Sequence, residues 1–276
     1  MRLSWYPGRR ALPAPVFIIG TGRSGTHWLA ESLSREPSLA VTLEVQPRFG
    51  WSTTMALDPR RQRDFFGRLK NNYLLAQWWN APRRLVDKAH PNIWLVEPLF
   101  EAFPGASFLG IQRRVHATVA SMVRCPPVMA WHDRWRDFPI PNRFLGISRE
   151  CADRYDSLSA VERCTLRWLA HRDRMRALGP ILGDRLLVVD YETMLDDVRT
   201  TLDRVASFIG IPHGLDLPAV RIESRDKWRQ VLSPRDICAI DTIVSAWDRA
   251  ASEPPAEPVN CSTGRRRRAG QATDDT

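Results

Sequence analysis

The sequence has few cysteines, and their spacing suits neither a bound metal nor a disulfide-rich fold. Its 276 residues include five cysteines, scattered between Cys125 and Cys261, and no pair has the CxxC spacing. Scattered thiols of this kind indicate neither a disulfide framework nor a zinc-binding module, and they are typical of a reducing compartment. We therefore expect a cytoplasmic protein with no metal.

Long hydrophobic runs are also missing. No stretch approaches the roughly 18 apolar residues of a membrane-spanning helix. The apolar run at residues 16–19 is too short for the core of a signal peptide. With 43% hydrophobic and 26% charged residues, the composition is that of a globular protein and excludes wholesale disorder. The length suffices for one complete α/β domain.

Acidic residues are outnumbered by basic ones, and the net charge of +9 favours an anionic partner. Part of this charge lies in Arg265–Arg268, within a segment rich in Pro, Ala, Ser and Thr. We interpret residues 252–276 as a flexible basic tail and residues 1–251 as a single domain. A solvated tail explains this composition without a specific nucleic-acid partner, although charge alone does not distinguish a polynucleotide from a small polyanion.

Strand-like and helix-like segments alternate along the chain. Short apolar runs predict strands at residues 16–19, 39–44, 106–112 and 185–192. Helical patterns occupy residues 24–36, 60–79, 93–103, 116–124, 158–178, 196–210 and 233–250. The rest of residues 45–85 is expected to be irregular, and the proline-rich residues 125–150 predict a long functional loop or lid. The alternation predicts an α/β fold with a mainly parallel sheet flanked by helices.

The segment VFIIGTGRSGTHWL, residues 16–29, combines a strand, a glycine-rich turn and the start of a helix. Gly20, Gly22 and Gly25 spell GxGxxG, the dinucleotide fingerprint. Glu44 follows about twenty residues later, where a ribose-binding carboxylate belongs. However, Arg23 places a cation where that fingerprint has small residues, because the pyrophosphate must lie against bare backbone. The dinucleotide interpretation is therefore disfavoured.

The same turn also departs from the P-loop of ATPases and kinases. That motif needs Lys directly after its last glycine, and here Thr26 follows Gly25. What remains is a strand–loop–helix whose N-terminal amide groups accept a phosphate, with Arg23 supplied before the glycine.

The run from residue 23 to residue 28, RSGTHW, resembles the 5′-phosphosulfate loop of sulfotransferases, which use 3′-phosphoadenosine 5′-phosphosulfate (PAPS) and release adenosine 3′,5′-bisphosphate. His27 stands where that family more often has Thr or Ser. The resemblance implies a P-loop NTPase-like three-layer sandwich and makes residues 1–251 a sulfotransferase domain. It also implies that the loop residues bind the nucleotide: Gly22, Arg23, Ser24, Gly25, Thr26, His27 and Trp28.

A second anion site is expected from the same resemblance. The family holds the 3′-phosphate with an Arg that ends a strand and a Ser eight residues later. Arg113 and Ser121 occupy these positions, although Arg113-Arg114-Val115-His116 replaces the more frequent R-D-P-R. Because a strand end and the second turn of the next helix converge, a guanidinium and a hydroxyl there are able to bind one phosphate.

Two later stretches agree with the resemblance, which covers residues 16–232. By resemblance, Tyr191 faces the nucleotide, while Glu192 has a structural role. The segment ESRDKWRQVL, residues 223–232, resembles the C-terminal loop that closes over the 3′-phosphate. This makes Arg225, Lys227 and Arg229 candidate contacts to the cofactor.

Sulfuryl transfer needs in-line positioning, charge stabilisation and a general base, and it needs no metal. Arg23 is placed to neutralise the leaving 5′-phosphate. The segment VDKAHPN, residues 86–92, resembles the Lys-Thr-His segment of cytosolic sulfotransferases. It offers His90 as the base and Lys88 for charge stabilisation, whereas Glu44 matches the base of carboxylate-using relatives. The sequence does not decide whether His90 or Glu44 is the general base.

Two other functions remain as alternatives at this point. An atypical P-loop kinase using ATP would need a magnesium-binding carboxylate, for which Asp190 is the nearest candidate. A non-enzymatic nucleotide- or polyanion-binding module would use only the basic surface. For a sulfotransferase we expect a small-molecule or carbohydrate acceptor, whose pocket would be lined by aromatic residues in the variable stretches. These are Trp78, Trp79, Trp131, Trp135 and Phe138.

Overall fold

The computed structural model describes residues 12–212, 214–216 and 225–252. Within them lie five strands, β1 (Val16–Gly20), β2 (Leu39–Leu43), β3 (Arg84–Lys88), β4 (Ser107–Gln112) and β5 (Leu186–Asp190). The same residues form the helices α1 (Thr26–Leu33), α2 (Arg48–Leu57), α3 (Gln62–Asn80), α4 (Val96–Ala102), α5 (Val115–Val123), α6 (Pro126–Asp133), α7 (Arg149–Ala152), α8 (Ala160–Leu182), α9 (Tyr191–Asp196), α10 (Val198–Phe208) and α11 (Pro234–Ser252).

The five strands form one sheet in the order β2-β3-β1-β4-β5, and every neighbouring pair is parallel. The glycine-containing strand β1 lies at the centre, with Gly20 opposite Ile111 of β4. At the same end of the sheet, Leu43 lies opposite Lys88. Parallel strands need crossover connections, which the intervening helices provide. The predicted parallel α/β sheet is confirmed.

Helices cover both faces of the sheet, as alternate residues of β1 show. Val16 and Ile18 pack into one apolar cluster with α1, α9 and α10. Phe17 and Ile19 point to the other face and pack with α2, α3, α4 and α8. A strand buried on both faces is apolar at every position, which explains the unbroken VFII run. The predicted three-layer sandwich is confirmed.

The expectation that residues 45–85 are irregular outside one helix is wrong at both ends. The helix α2 begins at Arg48, and β3 begins at Arg84. β3 has little apolar character because Asp87 and Lys88 are charged, yet both are buried. The Asp87 carboxylate accepts hydrogen bonds from the Tyr73 hydroxyl and from Thr42, each at 2.7 Å. Partners from other elements therefore make this strand stable.

Residues 125–150 are a packed, partly helical segment, so the prediction of a long loop is wrong. They include α6, and Phe144, Leu145 and Ile147 are buried in an apolar cluster with Trp135. The side chain of Asn142 fastens this segment to α2 by donating to the Leu57 carbonyl at 2.9 Å. Trp135 and Phe138 are packed in this cluster.

The last described helix, α11, is attached to α8. The Trp247 indole donates to Asp173 at 2.7 Å, and Arg172 pairs with Asp248 at 2.7 Å. Residues 253–276 lie outside the described residues, so the basic tail stays a prediction, although Ser252 still belongs to α11. None of the described helices is long and apolar enough to cross a membrane.

Candidate active site

The carboxyl ends of β1, β3 and β4 lie side by side at one edge of the sheet. Because the strands are parallel, the loop after Gly20, the residues after Lys88 and the residues after Gln112 all begin there. Sequence-predicted residues from separate stretches of the chain therefore meet at this edge. Ligands of open α/β sheets bind at the carboxyl ends of strands.

The turn between β1 and α1 is shaped by its glycines. Gly25 has a φ of 101°, and a Cβ there would lie 2.3 Å from the ring of Tyr191. Only glycine fits such a position. The Ser24 hydroxyl is buried and donates to the Thr21 carbonyl at 2.6 Å, which holds the turn closed. Buried Thr26 begins α1, so the first N–H groups of the helix face the turn.

Arg23 connects the two predicted phosphate sites. Its Nε donates to the hydroxyl of Ser121 at 3.0 Å, although the two residues are 98 positions apart. Ser121 lies on α5, two turns after Arg113 at the end of β4. The structure thus brings the glycine loop and the Arg–Ser pair together.

A cavity of about 310 Å³ opens beside this contact, and we call it the nucleotide cavity. Cationic and hydroxyl side chains line it, together with one indole, and the described residues contribute no carboxylate to its lining. The polar and aromatic lining residues are Arg23, Arg113, Ser121, Arg124, Lys227 and Trp228. Such a lining fits a phosphate group.

Arg113 and Tyr191 lie against each other at the edge of this cavity. The Arg113 guanidinium is 4.3 Å from the centre of the Tyr191 ring and 3.9 Å from a Glu192 carboxylate oxygen. Glu192 accepts the backbone N–H of Arg114 at 3.1 Å, and burial raises its pKa. The Glu192 carboxylate therefore holds the start of α5 in place beside Arg113.

Some predicted nucleotide ligands point elsewhere. The His27 side chain is 60% exposed and faces Glu31 at 3.6 Å on the outer surface of α1. Trp28 is partly buried against the cluster under α1. The predicted contact of His27 with the nucleotide is therefore not made by its side chain as it lies here, whereas the role of Trp28 stays a prediction.

Of the three cations predicted in the C-terminal loop, the structure places only Lys227 at the nucleotide cavity. Arg225 forms an ion pair with Asp196, and Arg229 lies 3.4 Å from Asp226. Residues 223 and 224 of the predicted loop lie outside the described residues.

Arg124 lines the nucleotide cavity and directly follows α5, but it is not among the residues predicted from the sequence. Its side chain lies one helical turn after Ser121. Arg124 lies three positions after Ser121. Because residues three apart share a helix face, this spacing predicts that Arg124 faces the same site as Ser121.

A second cluster contains Glu44, Lys88 and His90. One carboxylate oxygen, Oε1 of Glu44, forms an ion pair with the Lys88 ammonium and lies 3.0 Å from Nδ1 of His90. Sheet register brings these residues together, because the backbone N–H of Glu44 donates to the Lys88 carbonyl at 2.8 Å. Lys88 and His90 are buried, and Glu44 is half-buried.

The charges in this cluster set where its protons reside. Burial raises the pKa of Glu44, but the hydrogen bond and charge of His90 and the Lys88 ammonium outweigh burial and lower it to about 2. Burial lowers the pKa of His90 to about 4. At neutral pH, Glu44 is therefore an anion that only accepts, and His90 is neutral with its proton on Nδ1.

The other ring nitrogen of His90 faces the glycine loop. A Cβ placed on Gly22 would lie 3.2 Å from Nε2, so the loop backbone passes directly over this nitrogen. Nε2 is buried and has no hydrogen-bond partner among the described residues. Its lone pair is thus directed toward the space next to the loop.

Backbone strain coincides with the two clusters. Among the described residues, the non-glycine positions with positive φ are Arg23 at 77° and Glu44 at 50°. Such conformations are unfavourable for L-residues and persist where the surrounding structure holds them, which is often at functional sites.

Residues 15–214 match the protein-family model described as "Sulfotransferase family". The chain belongs to the sulfotransferase family. No curated protein matches the sequence.

Solved sulfotransferases share the fold at low sequence identity. The sulfotransferase domain from the curacin biosynthetic pathway has a TM-score of 0.57 at 16% identity, over 85% of this chain and 98% of that chain. For the sulfotransferase domain of the Synechococcus PCC 7002 olefin synthase, the TM-score is 0.53 at 18% identity, over 91% and 99%. Mouse sulfotransferase SULT7A1, solved with PAP, has a TM-score of 0.50 at 17% identity, over 86% of this chain and 85% of that chain.

Family membership makes this protein a transferase and removes the kinase and the non-enzymatic binding module as alternatives. Asp190, the carboxylate considered for magnesium, accepts the N–H of Thr193 at 2.8 Å and caps α9. Glu44, considered for a ribose, is bound to Lys88 and His90 instead.

The aromatic residues around Glu44, Lys88 and His90, which we call the base cluster after the two candidate bases predicted from the sequence, differ from those expected. His90 is flanked by Phe49, Trp131 and Phe144, with ring centroids 5.6, 6.1 and 6.4 Å away. Trp135 and Phe138 pack in the cluster formed by residues 125–150. Of the five predicted aromatic residues, only Trp131 is brought against His90.

Trp78 and Trp79 lie at the other end of the molecule. They are 64% and 77% exposed at the end of α3, which leads into the start of β3. Their neighbour Gln77 donates to the carbonyl of Pro13, just before β1. This is the amino-terminal edge of the sheet, opposite the base cluster, so the expectation that they line an acceptor pocket is wrong.

Proposed function

We propose that this sulfotransferase transfers a sulfuryl group from PAPS to a hydroxyl or amine of a small-molecule or carbohydrate acceptor. The observation that carries this proposal is the meeting of the glycine loop, the Arg–Ser pair and the histidine–carboxylate pair at one sheet edge. A relative of similar fold, mouse SULT7A1, is solved with PAP.

The residues present suit both phosphates of the nucleotide. The N-terminal amides of α1 and the Arg23 guanidinium are placed for the 5′-phosphosulfate. Arg113, Ser121, Arg124 and Lys227 are placed for the 3′-phosphate in the nucleotide cavity. Because Arg23 lines this cavity and also belongs to the loop, one guanidinium lies between the two sites.

PAPS supplies an activated bond between sulfur and the bridging oxygen of its 5′-phosphate. As the acceptor oxygen bonds to sulfur, that bond breaks and its electron pair stays on the phosphate. Arg23 neutralises the charge that develops there. Lys88 adds a buried positive charge beside the transferring group.

We assign the general base to His90 and give Glu44 a positioning role. The acceptor proton moves to Nε2, the nitrogen that faces the loop and has no partner among the described residues. Glu44 holds the opposite proton on Nδ1 and stabilises the imidazolium that forms. With a pKa of about 2 and an ion pair to Lys88, the Glu44 carboxylate is itself a weak base.

Two further features belong to this proposal. One domain spans residues 1–251, because α11 is fastened to α8 through Asp173 and Asp248. The protein works in the cytoplasm, in keeping with the four described cysteines, which are free thiols.

The test is a thermal-shift series with adenosine 3′,5′-bisphosphate, AMP, ATP with magnesium, and NAD. A ligand at about 100 times its Kd stabilises by roughly 2.7 kcal/mol, and each kcal/mol raises Tm by about 2–4 °C in a protein of this size. We expect a clear shift with the bisphosphate and a much smaller one with AMP, because only the former reaches Arg113 and Ser121.

The variant Arg113→Ala separates 3′-phosphate recognition from general charge. It should remove the preference for the bisphosphate over AMP, whereas the neighbouring Arg114→Ala should keep it, because Arg114 lies outside the nucleotide cavity. Equal shifts with AMP and the bisphosphate, or a shift only with ATP or NAD, would contradict the proposal.

A further inference from the structure

A buried arginine without hydrogen-bond partners lies near the base cluster. Arg167, on α8, is fully buried. Its Nε, Nη1 and Nη2 atoms have no hydrogen-bond acceptor among the described residues. A guanidinium has five N–H donors, so leaving all of them unsatisfied in the interior is strongly unfavourable.

Arg167 and His90 share two aromatic neighbours. The guanidinium carbon lies 4.9 Å from the ring centre of Trp131 and 4.4 Å from that of Phe144. The same two rings flank His90. The positive charge of Arg167 acts on His90 and is one of the causes that lower its pKa. Arg167 therefore lies against the same two rings as His90.

Within the described part of the chain, no carboxylate compensates this charge. Among the described residues, the groups that favour the charged form of Arg167 are the thiols of Cys164 and Cys125 and the phenol of Tyr155. Burial raises the pKa of the Cys164 thiol to about 12. Burial also raises the pKa of the Tyr155 hydroxyl above its usual value, so both groups are neutral at pH 7. Burial lowers the pKa of Arg167 only to about 10, so the guanidinium stays charged.

Another arginine of α8 has the hydrogen-bond acceptors that Arg167 lacks among the described residues. Arg163, one turn earlier, also stacks on an aromatic ring, that of Tyr155. Its guanidinium, however, donates to the carbonyls of Tyr155 and Asp156 at 3.1 and 2.9 Å. Stacking on a ring therefore does not prevent an arginine of this helix from finding acceptors. Arg167 lacks acceptors because its fully buried position offers none among the described residues.

Phe49 and Trp131, which lie against His90, are only partly buried, so these two rings border solvent. We propose that the acceptor carries a carboxylate, which pairs with Arg167 between Trp131 and Phe144 while the acceptor hydroxyl lies at Nε2 of His90. This inference rests on the proposed function and names the class of its acceptor. A planar carboxylate matches the fork of a guanidinium and supplies the missing hydrogen-bond acceptors and the missing negative charge.

The first experiment measures binding by calorimetry to the protein saturated with adenosine 3′,5′-bisphosphate. The probes are matched pairs, 4-hydroxyphenylacetate with 4-hydroxyphenylacetamide and 3-hydroxybutyrate with 3-hydroxybutanamide. We expect at least one carboxylate to bind about tenfold or more tightly than its amide, as for hydrogen bonds to a charged group. Arg167→Met should abolish this preference, and Arg163→Met should keep it.

The second experiment needs no acceptor. If the Arg167 charge is kept for binding, Arg167→Met should raise the Tm of the unliganded protein by a few degrees, because methionine fills similar volume without an uncompensated charge. Arg163→Met should lower Tm, because it removes satisfied hydrogen bonds.

The proposal requires both results. A lower Tm for Arg167→Met would give Arg167 a structural role and overturn it, and so would equal binding, or no binding, of both members of every probe pair. Failure of the bisphosphate itself to bind would instead overturn the proposed function. The two failures are therefore distinguishable.

Discussion

A single carboxylate oxygen, Oε1 of Glu44, contacts both the Lys88 ammonium and the His90 imidazole. The His90 contact and, to a smaller extent, the Lys88 contact lower the pKa of Glu44 and keep it ionised. The ionised carboxylate in turn fixes the proton of His90 on Nδ1. The remaining lone pair, on Nε2, faces the glycine loop. At the residue scale, this geometry supports our proposal that His90 is the base and that Glu44 orients it.

Glu44→Gln tests this division of roles. We expect the rate of sulfuryl transfer to fall by roughly 100-fold, because the neutral amide no longer fixes the tautomer or stabilises the imidazolium. Bisphosphate binding should be unchanged. Nitrogen-15 chemical shifts of His90 at pH 7 should show a protonated Nδ1 in the natural protein and a mixture of tautomers in the variant.

The matched control is Glu31→Gln, which removes a carboxylate from an exposed Glu–His pair on α1. It should change neither the rate nor the His90 shifts. If Glu44→Gln behaves like this control, Glu44 does not orient the base.

At the scale of elements, the turn between β1 and α1 depends on its contact with α9. Gly25 lies against the ring of Tyr191, the first residue of that helix, and has a positive φ. The close approach brings the start of α1 and the Tyr191–Arg113 stack to the same place. One glycine thus positions the two halves of the nucleotide site relative to each other.

Gly25→Ala should disrupt this arrangement. The left-handed backbone costs an alanine about 1–2 kcal/mol, and its methyl group would lie 2.3 Å from the Tyr191 ring. We expect a lower Tm and at least tenfold weaker binding of the bisphosphate, measured by thermal shift and calorimetry.

Gly67→Ala is the control, because Gly67 lies inside α3 with nothing within 4 Å of a Cβ. Alanine there should raise the stability by up to about 1 kcal/mol and leave binding unchanged. Normal bisphosphate binding by Gly25→Ala would show that the close contact with Tyr191 is not needed.

At the scale of the whole molecule, three of the described histidines are buried in neutral form. Burial lowers the pKa of His90 to about 4, of His132 to about 3, and of His171 well below its usual value. In the unfolded chain each takes up a proton near pH 6.5. Protons therefore bind the unfolded state first as the pH falls, which favours unfolding from about pH 6.5 downward to the folded pKa values.

We expect Tm to fall by several degrees between pH 7.5 and 5.5, before most carboxylates titrate. Each buried histidine contributes roughly 1.4 kcal/mol of destabilisation by pH 5.5. His171→Gln should reduce this pH dependence by about one third, because the amide replaces both hydrogen bonds of the ring, from Trp94 and to the Arg167 carbonyl, without titrating.

The control His27→Gln changes a histidine whose side chain is 60% exposed, and it should leave the pH dependence of Tm as it is. A Tm that stays constant from pH 7.5 to 5.5 would mean that the buried histidines are protonated in the folded protein.

Local patterns of the sequence determined the class of fold and the order of the phosphate-binding segments. The VFII run, the glycines after it and the Arg113-to-Ser121 spacing are short-range features, set by strand burial, backbone freedom and helix periodicity. They sufficed for the parallel sheet, the three layers and the resemblance to sulfotransferases. They failed for β3, since a strand that contains Asp87 and Lys88 shows no apolar pattern.

Only the tertiary structure decided which distant side chains meet. Glu44 contacts His90 although 46 positions separate them. Lys227 lines the nucleotide cavity, whereas Arg225 and Arg229 pair with nearby carboxylates. Trp78 is exposed at the opposite edge of the sheet from the base cluster. The tertiary structure also left Arg167 buried with no acceptor in the part of the chain that the structure describes. Such pairings depend on sheet register and on the packing of helices over the sheet, which no local stretch of sequence encodes.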